Sequence, residues 1–153
     1  MAEPIVWTIQ TSLVTDLAAI NGVSPYFNTI ASVENFKREG NNLKANTLVV
    51  GLSELTRAEA ETQGKYYWRA TFEIAGMVAP SASLPDDQLA TRLLTDITRA
   101  VMANPGRTVS GTQYAIDTQI MAPQLVTQYD ERIGVTCMVE VHFRTSLTDL
   151  TSL

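Results

Sequence analysis

The sequence predicts an α+β fold in which two helices pack on one face of a mixed, largely antiparallel β-sheet. Two amphipathic helical segments stand apart in the chain, and two long segments alternate apolar and polar side chains with a period of two. Helices and strands do not alternate one by one, which argues against a parallel doubly wound sheet. The length of 153 residues suits one compact domain. We therefore expect one domain over residues 1–153, with 145–153 as a flexible C-terminal arm.

The spacing of apolar residues predicts two helices. The first runs from Ile5 to Ile20, where apolar side chains recur at intervals of three and four, and Gly22 favours a stop. The second begins where Ser83 and Asp86 have the spacing of a capping box, and it ends before Pro105. Each helix is expected to turn its apolar stripe toward the core.

Strands are predicted from alternation and from β-branched and aromatic residues. The two clearest are Lys65–Met77 and Ile133–Thr145, and three weaker ones are Thr29–Val33, Thr47–Leu52 and Tyr114–Met121, the last ending near Pro123. The acidic stretch Ser53–Gly64 has no apolar face, so it is predicted to be an exposed loop between two strands.

Composition and charge exclude several classes of protein. Hydrophobic residues make up 45% of the chain, which is too many for a disordered chain, and the formal charge of −5 argues against binding nucleic acid by phosphate neutralisation. No apolar run approaches the ~18 residues of a membrane helix, and no signal peptide is visible. The expected product is soluble and intracellular, without membrane association.

Residues able to carry chemistry are few and scattered. One cysteine and one histidine leave no ligand set for a structural zinc site. Cys137 and His142 are five residues apart on one predicted strand, so they project from opposite faces and cannot form a catalytic pair. The acidic pairs Asp86-Asp87 and Asp130-Glu131 are explained by helix capping and by a turn. We expect no catalytic residue, no metal and no cofactor.

The order of elements resembles the tail terminator (tail completion) proteins of long-tailed bacteriophages. The resemblance covers about Ile5 to Thr145. It depends on Ala18–Val23 after the first helix, Leu48–Val50, the aromatic strand Tyr66–Ile74, Pro85–Asp87 opening the helix Leu93–Met102, and Val135–Arg144. The closest agreement is the helix end Asp96-Ile97-Thr98-Arg99-Ala100-Val101, followed by a polar gap and the last strand.

The resemblance implies a structural virion protein without an active site. It implies a homo-oligomer, a six-fold ring, that caps the tail tube protein, ends tube polymerisation and joins the tail to the head-tail connector or neck protein. DNA would pass through the lumen without sequence-specific binding. The location would be the head-proximal end of the tail, with the host cytoplasm during assembly. Alternatives are a neck or head-closure protein of the virion, or a small cytosolic binding domain or hydrolase.

Two groups of polar residues are candidate contacts in such an assembly. Glu54, Glu59 and Glu61 lie in the predicted loop, which is long enough to reach a neighbouring subunit or the tube. Glu140, His142 and Arg144 share the polar face of the last strand. That strand has few charges and would be an aggregation hazard as a free edge, so we expect a neighbouring subunit to cover it.

Overall fold

The computed structural model describes residues 2–37, 44–62, 64–129, 132–146 and 149–153, with the main chain alone for 59–62, 122–129 and 132. The elements in chain order are α1 Ile5–Ala18, β1 Ser32–Asn35, β2 Thr47–Thr62, β3 Lys65–Val78, α2 Asp86–Met102, β4 Thr108–Val109, β5 Thr112–Gln113, β6 Ala115–Tyr129 and β7 Arg132–Ser146.

Five strands form the main sheet in the order β1-β2-β3-β7-β6, and β4 and β5 form a separate two-stranded ribbon. All neighbours in the main sheet are antiparallel except β1 and β2, which are parallel. Both helices pack against the same face of this sheet. The predicted α+β class is therefore confirmed.

The core lies between the helices and the two central strands. Across the β3–β7 ladder, Phe72 faces Val139 and Ile74 faces Cys137, and all four side chains are buried. Helix α1 contributes a stripe of buried apolar residues, as predicted, and α2 contributes a second. A fully buried side chain of this size stabilises the fold by about 1.5–3 kcal/mol. The stripes are Ile5, Ile9, Leu13 and Leu17 in α1, and Leu89, Leu93, Ile97 and Val101 in α2.

The start of α2 differs from the prediction. The helix begins at Asp86 with Pro85 at the N-cap, and no side chain caps it. Ser83 lies outside the helix, and its amide donates a hydrogen bond to Ser81 Oγ at 3.2 Å. The predicted capping box is wrong because proline at the N-cap leaves Ser83 two residues outside the helix. Asp86 and Asp87 still lie in the first turn, where carboxylates favour the helix dipole.

The predicted loop Ser53–Gly64 is wrong over most of its length. Strand β2 continues to Thr62, and its ladder with β3 pairs Leu55 with Ala70 and Arg57 with Trp68. The exposed Glu54 and Leu55 show the reason. The described side chains in this half of β2 are exposed or half-buried, so its sequence carries no buried stripe and lacks the alternation by which strands are recognised.

Strand β6 continues beyond the end predicted at Pro123 and reaches Tyr129. Proline is tolerated here because β6 is an edge strand and the ladder has an irregularity between Met121 and Gln124. A second irregularity between Ala115 and Asp117 changes the alternation that was predicted from Tyr114 onward. Ile116 is consequently exposed.

Strand β7 is not an edge. It lies between β3 and β6 and pairs with both over most of its length, which leaves no free ladder for a neighbouring subunit to cover. The predicted apolar face is confirmed, since Ile133, Val135, Val141 and Phe143 are all buried. The expectation of a hazardous edge at this strand is wrong because β3 and β6 pair with its two sides.

The segment between α1 and β1 is held against α2 by a buried carboxylate. Asp96 is fully buried and accepts hydrogen bonds from the amides of Phe27 and Asn28 and from Asn28 Nδ2, at 2.8–3.1 Å. Near the C-terminus, Leu150 O accepts a hydrogen bond of 3.0 Å from the amide of Ile5.

The single domain over 1–153 and the flexible arm over 145–153 stay predictions.

Candidate functional site

The face of the sheet turned away from the helices carries the candidate site, which we call the open face. Register places Glu54, Thr71, Glu140 and Gln119 in one row across β2, β3, β7 and β6. The row above it contains Thr56, Arg69, His142 and Asp117. Because residues that face one another across a ladder share a side of the sheet, these polar side chains form one continuous surface.

Glu140 is the centre of a charged cluster on the open face. Its Oε1 is 2.7 Å from His142 Nε2, and its Oε2 is 3.7 Å from Arg69 Nε. The Glu140 side chain is 14% exposed and that of His142 is 42% exposed. Nearby, Gln119 Nε2 donates to Asp117 Oδ2 at 2.7 Å. The cluster presents both positive and negative charge to a partner, on a strand that is hydrogen-bonded on both sides.

The structure places four of the six candidate contacts on this face. Glu140 and His142 are in direct contact, and Glu54 lies in the row of Glu140, where it accepts a hydrogen bond of 2.7 Å from Thr56 Oγ1. Arg144 is exposed one row higher, opposite Tyr67. Glu59 and Glu61 lie on β2, but their side chains are outside the described part of the chain.

An apolar groove of about 340 Å³ lies at the β2 side of the open face. Phe36 lies across Gly51, where an added Cβ would be 2.9 Å from Phe36 Cβ. Besides Phe36 and Gly51, the groove is lined by Val49, Leu52, Ser53, Glu73 and Ala75. Sequence reasoning missed this groove because the contact joins distant residues. The glycine inside an apolar strand was the available signal.

A basic patch lies on the opposite side of the molecule. The guanidinium carbons of Arg92 and Arg99 are 5.1 Å and 5.2 Å from the centre of the Phe27 ring, which is itself exposed. Arg99 Nη1 also donates to Pro25 O. Cation–π contacts at exposed positions are worth about 0.5–1 kcal/mol each. The patch holds the loop before β1 on α2 and leaves an aromatic ring in solvent.

The cysteine and the histidine lie on opposite faces of β7, as the sequence predicts. Cys137 is buried beneath the helices, whereas His142 is on the open face. Burial, followed by the charge of Glu73, raises the pKa of the Cys137 thiol to about 12. A thiol with that pKa is neutral at physiological pH and is a poor nucleophile. Among the described residues there is no cluster of three side chains able to hold a metal ion.

Asp16 and Arg107 form an ion pair between the end of α1 and the turn after α2, with Nη1 3.0 Å from Oδ2. The Arg107 side chain is fully buried, and its Nη2 donates to Val101 O. Burial raises the pKa of Asp16 more than the charge of Arg107 and the amide of Asn104 lower it. Burial lowers the pKa of Arg107. These contacts connect the two helices and lie away from the open face.

Comparisons with solved structures give a likeness in fold. No protein-family model and no curated protein matches the sequence. A chain of a solved structure described as the virion of a native gene transfer agent particle is similar in fold, with a TM-score of 0.54. The two share 11% sequence identity over 92% of this chain and 97% of that chain. No helix in the described residues is long and apolar enough to cross a membrane. The likeness shows that the two chains share a fold over most of their lengths.

Proposed function

We propose that this protein is a structural subunit of a phage-type virion, and more narrowly a tail terminator that forms a ring on the head-proximal end of the tail tube. The observation that carries the proposal is the fold likeness to a gene transfer agent virion chain over nearly the full length of both chains. The order of sequence elements, which resembles tail terminators, supports the narrower role.

The arrangement of surfaces supports an assembly role. The open face combines an apolar groove beside Phe36 with the charged cluster around Glu140, and the helices leave both uncovered. Interfaces between subunits combine apolar contact with placed charges in this way. The second half of β2, whose described side chains are exposed or half-buried, offers a second contact surface. In a ring on a tube, such surfaces serve contacts with neighbouring subunits or with the tube.

A non-enzymatic role agrees with the chemistry of the described residues. The buried thiol is neutral, the histidine is paired with a carboxylate on the other side of the sheet, and the ion pair of Asp16 and Arg107 connects helices. The acidic chain, with a formal charge of −5, would line a channel without adhering to DNA. The proposed partners are further copies of this chain, a tail tube protein and a connector or neck protein, with no cofactor.

Tube assembly in the presence and absence of the chain tests the proposal. A phage tail tube protein is polymerised with and without the purified subunit, and tube lengths are measured by negative-stain electron microscopy. A terminator gives short, capped tubes in proportion to its concentration. Unchanged tube lengths, with the subunit found on isolated heads or necks, would assign it to head closure instead. Unchanged lengths with no binding to any particle component would overturn the proposal.

A further inference from the structure

Two edges of the main sheet have no strand beside them in the described part of the chain. Strand β1 covers only Thr47–Val50 of β2, and the amide of Phe36 bonds to Val50 O just beyond it. From Gly51 onward, β3 is the one strand paired with β2 among the described residues. On the far side of the sheet, β7 is the one described strand that pairs with β6. A row of unpaired amide and carbonyl groups at a sheet edge is a template for pairing with another chain.

We infer that the β2 edge from Gly51 to Arg57 pairs with the β6 edge from Ile116 to Met121 of a second copy of this chain, which joins the subunits through a continuous sheet. This inference rests on the proposed ring and names its contact. It differs from the predicted coverage of β7, which both neighbouring strands already enclose.

The direction of the strands suits this pairing. β2 runs antiparallel to β3, β3 to β7, and β7 to β6, so β2 and β6 run in opposite directions within one sheet. A second copy related by rotation about an axis along the strands therefore presents its β6 antiparallel to β2. Antiparallel ladders are the more stable and the more common kind. The contact uses two different surfaces, so repetition closes a ring when the rotation from one copy to the next is a whole fraction of a full turn, as one sixth is in the proposed ring.

The heights of the two edges also agree. Register places Gly51 level with Glu73, Met138 and Met121, and Thr56 level with Arg69, His142 and Asp117. The open part of β2 therefore lies at the same height as Ile116–Met121. Below it, Gln124 is level with Val49, where β1 already covers β2. Pro123, which has no amide to donate, thus belongs to the part of β6 that this pairing leaves unused.

Apolar side chains in solvent mark both edges. Leu55 on β2 is 39% exposed and Ile116 on β6 is 47% exposed, and Leu52 and Met121 are exposed as well. Together these side chains would bury apolar area along the new ladder. Pairing β2 with β2 of another copy would instead bring the acidic residues Glu54, Glu59 and Glu61 of both chains together. A second copy's β6 segment, which has Asp117 as its single charge, is the better occupant.

Disulfide trapping tests the inference. The double variant Thr56→Cys with Asp117→Cys places one cysteine at each edge and at the same height, and Glu54→Cys with Gln119→Cys does so one row lower. The native Cys137 is buried and stays out of the reaction. After mild oxidation of concentrated protein, either double variant is expected to give a ladder of linked species up to six subunits, which reduction returns to monomer.

The single variants are the matched controls. Thr56→Cys alone and Asp117→Cys alone are expected to stay monomeric on a non-reducing gel, and a mixture of the two is expected to stop at dimers. Dimers of a single variant would indicate a two-fold contact and overturn the inference. Six-subunit species by native mass spectrometry without any cross-link would overturn the edge pairing and leave the proposed ring intact. If neither cross-links nor larger species form, the pairing of β2 with β6 of a second copy is overturned. The proposed function is then still tested separately by the tube-capping experiment.

Discussion

The carboxylate of Asp16 and the guanidinium of Arg107 are 3.0 Å apart, although one belongs to the end of α1 and the other to the turn after α2. The arginine is fully buried in a left-handed backbone conformation, with φ of 47°. Its Nε has no hydrogen-bond partner among the described residues. The pair fixes the two helices together, but at the cost of desolvating a cation.

We expect Asp16→Asn to lower the free energy of unfolding by about 2 kcal/mol, because it leaves a buried guanidinium without its counter-charge. Urea denaturation followed by circular dichroism measures the change. Thr15→Ala, at an exposed position of the same helix, is the control and is expected to shift stability by less than about 0.5 kcal/mol. An Asp16→Asn variant as stable as the control would show that the pair contributes no net stability.

The buried thiol of Cys137 gives an alkaline prediction. Its pKa is about 12 in the folded protein and 9.0 without burial, so above pH 9 the unfolded chain ionises while the folded chain does not. The contribution of this thiol to the free energy of unfolding is therefore fully present below pH 9, and it is lost progressively as the pH rises toward 12. At pH 10.5 we expect this group to account for about 2 kcal/mol of the loss.

The variant Cys137→Val isolates this contribution, since valine has no ionisable group and a similar volume. Denaturation midpoints are compared for both proteins at pH 8 and at pH 10.5. The valine variant is expected to lose less stability over that interval. Equal losses in the two proteins would mean that the Cys137 thiol ionises freely in the fold.

Charge reversal on the open face tests its role as a contact. Glu140→Lys together with Arg144→Glu keeps the net charge and exchanges its placement. Exposed ion pairs contribute about 0–1 kcal/mol each, so the monomer is expected to stay folded, while ring formation weakens through misplaced charge at the contact. Sedimentation velocity and circular dichroism measure the two effects.

The matched control places the same exchange on the helix side, with Asp87→Lys and Arg92→Glu, and is expected to form rings as the unmodified protein does. If both double variants assemble equally well, the open face is not a subunit contact. If the open-face variant unfolds, the cluster around Glu140 serves stability rather than assembly.

The tip of the β2–β3 hairpin is predicted to serve contacts more than stability. Arg57 and Trp68 face one another in the ladder, so an Asn-Gly turn can replace residues 58–67 between them. The replacement also removes the pairing of Lys65–Tyr67 with β7, but none of the described side chains that it removes is fully buried, so we expect the melting temperature to fall by about 4 °C with the core intact. Tube capping is expected to be lost.

A second variant separates length from charge at this tip. Glu59→Gln with Glu61→Gln retains the hairpin and removes two carboxylates. Capping that is lost in the short variant and kept in this one would assign the contact to the hairpin's reach. A short variant that caps tubes normally would show that the tip has no part in assembly.

The sequence predicted those elements whose side chains reach the core. In β7, Val135 and Val141 alternate with polar residues because one face is buried, and in α1 the buried stripe of Ile9 and Leu13 follows the helical period. The second half of β2 escaped prediction for the opposite reason. Both of its faces meet solvent near Leu55, and backbone pairing with β3 alone keeps it extended.

Features that depend on distant pairs were beyond prediction. The position of β7 inside the sheet follows from its hydrogen bonds to β3 and β6, which no local pattern encodes. The contact of Phe36 with Gly51 and the buried role of Asp96 likewise join residues far apart in the chain. Glu140 and His142 were found because they are two residues apart on one strand. Arg69 joins them only through strand pairing.

Electron microscopy of tube ends shows whether the subunit caps the tube as a ring. Tubes polymerised with the subunit are imaged and averaged at their ends. We expect a ring of 16.8 kDa subunits with six-fold symmetry on one end of each tube, and free protein depleted in proportion to the number of ends. Bare ends on every tube, with the subunit left in solution, would contradict it.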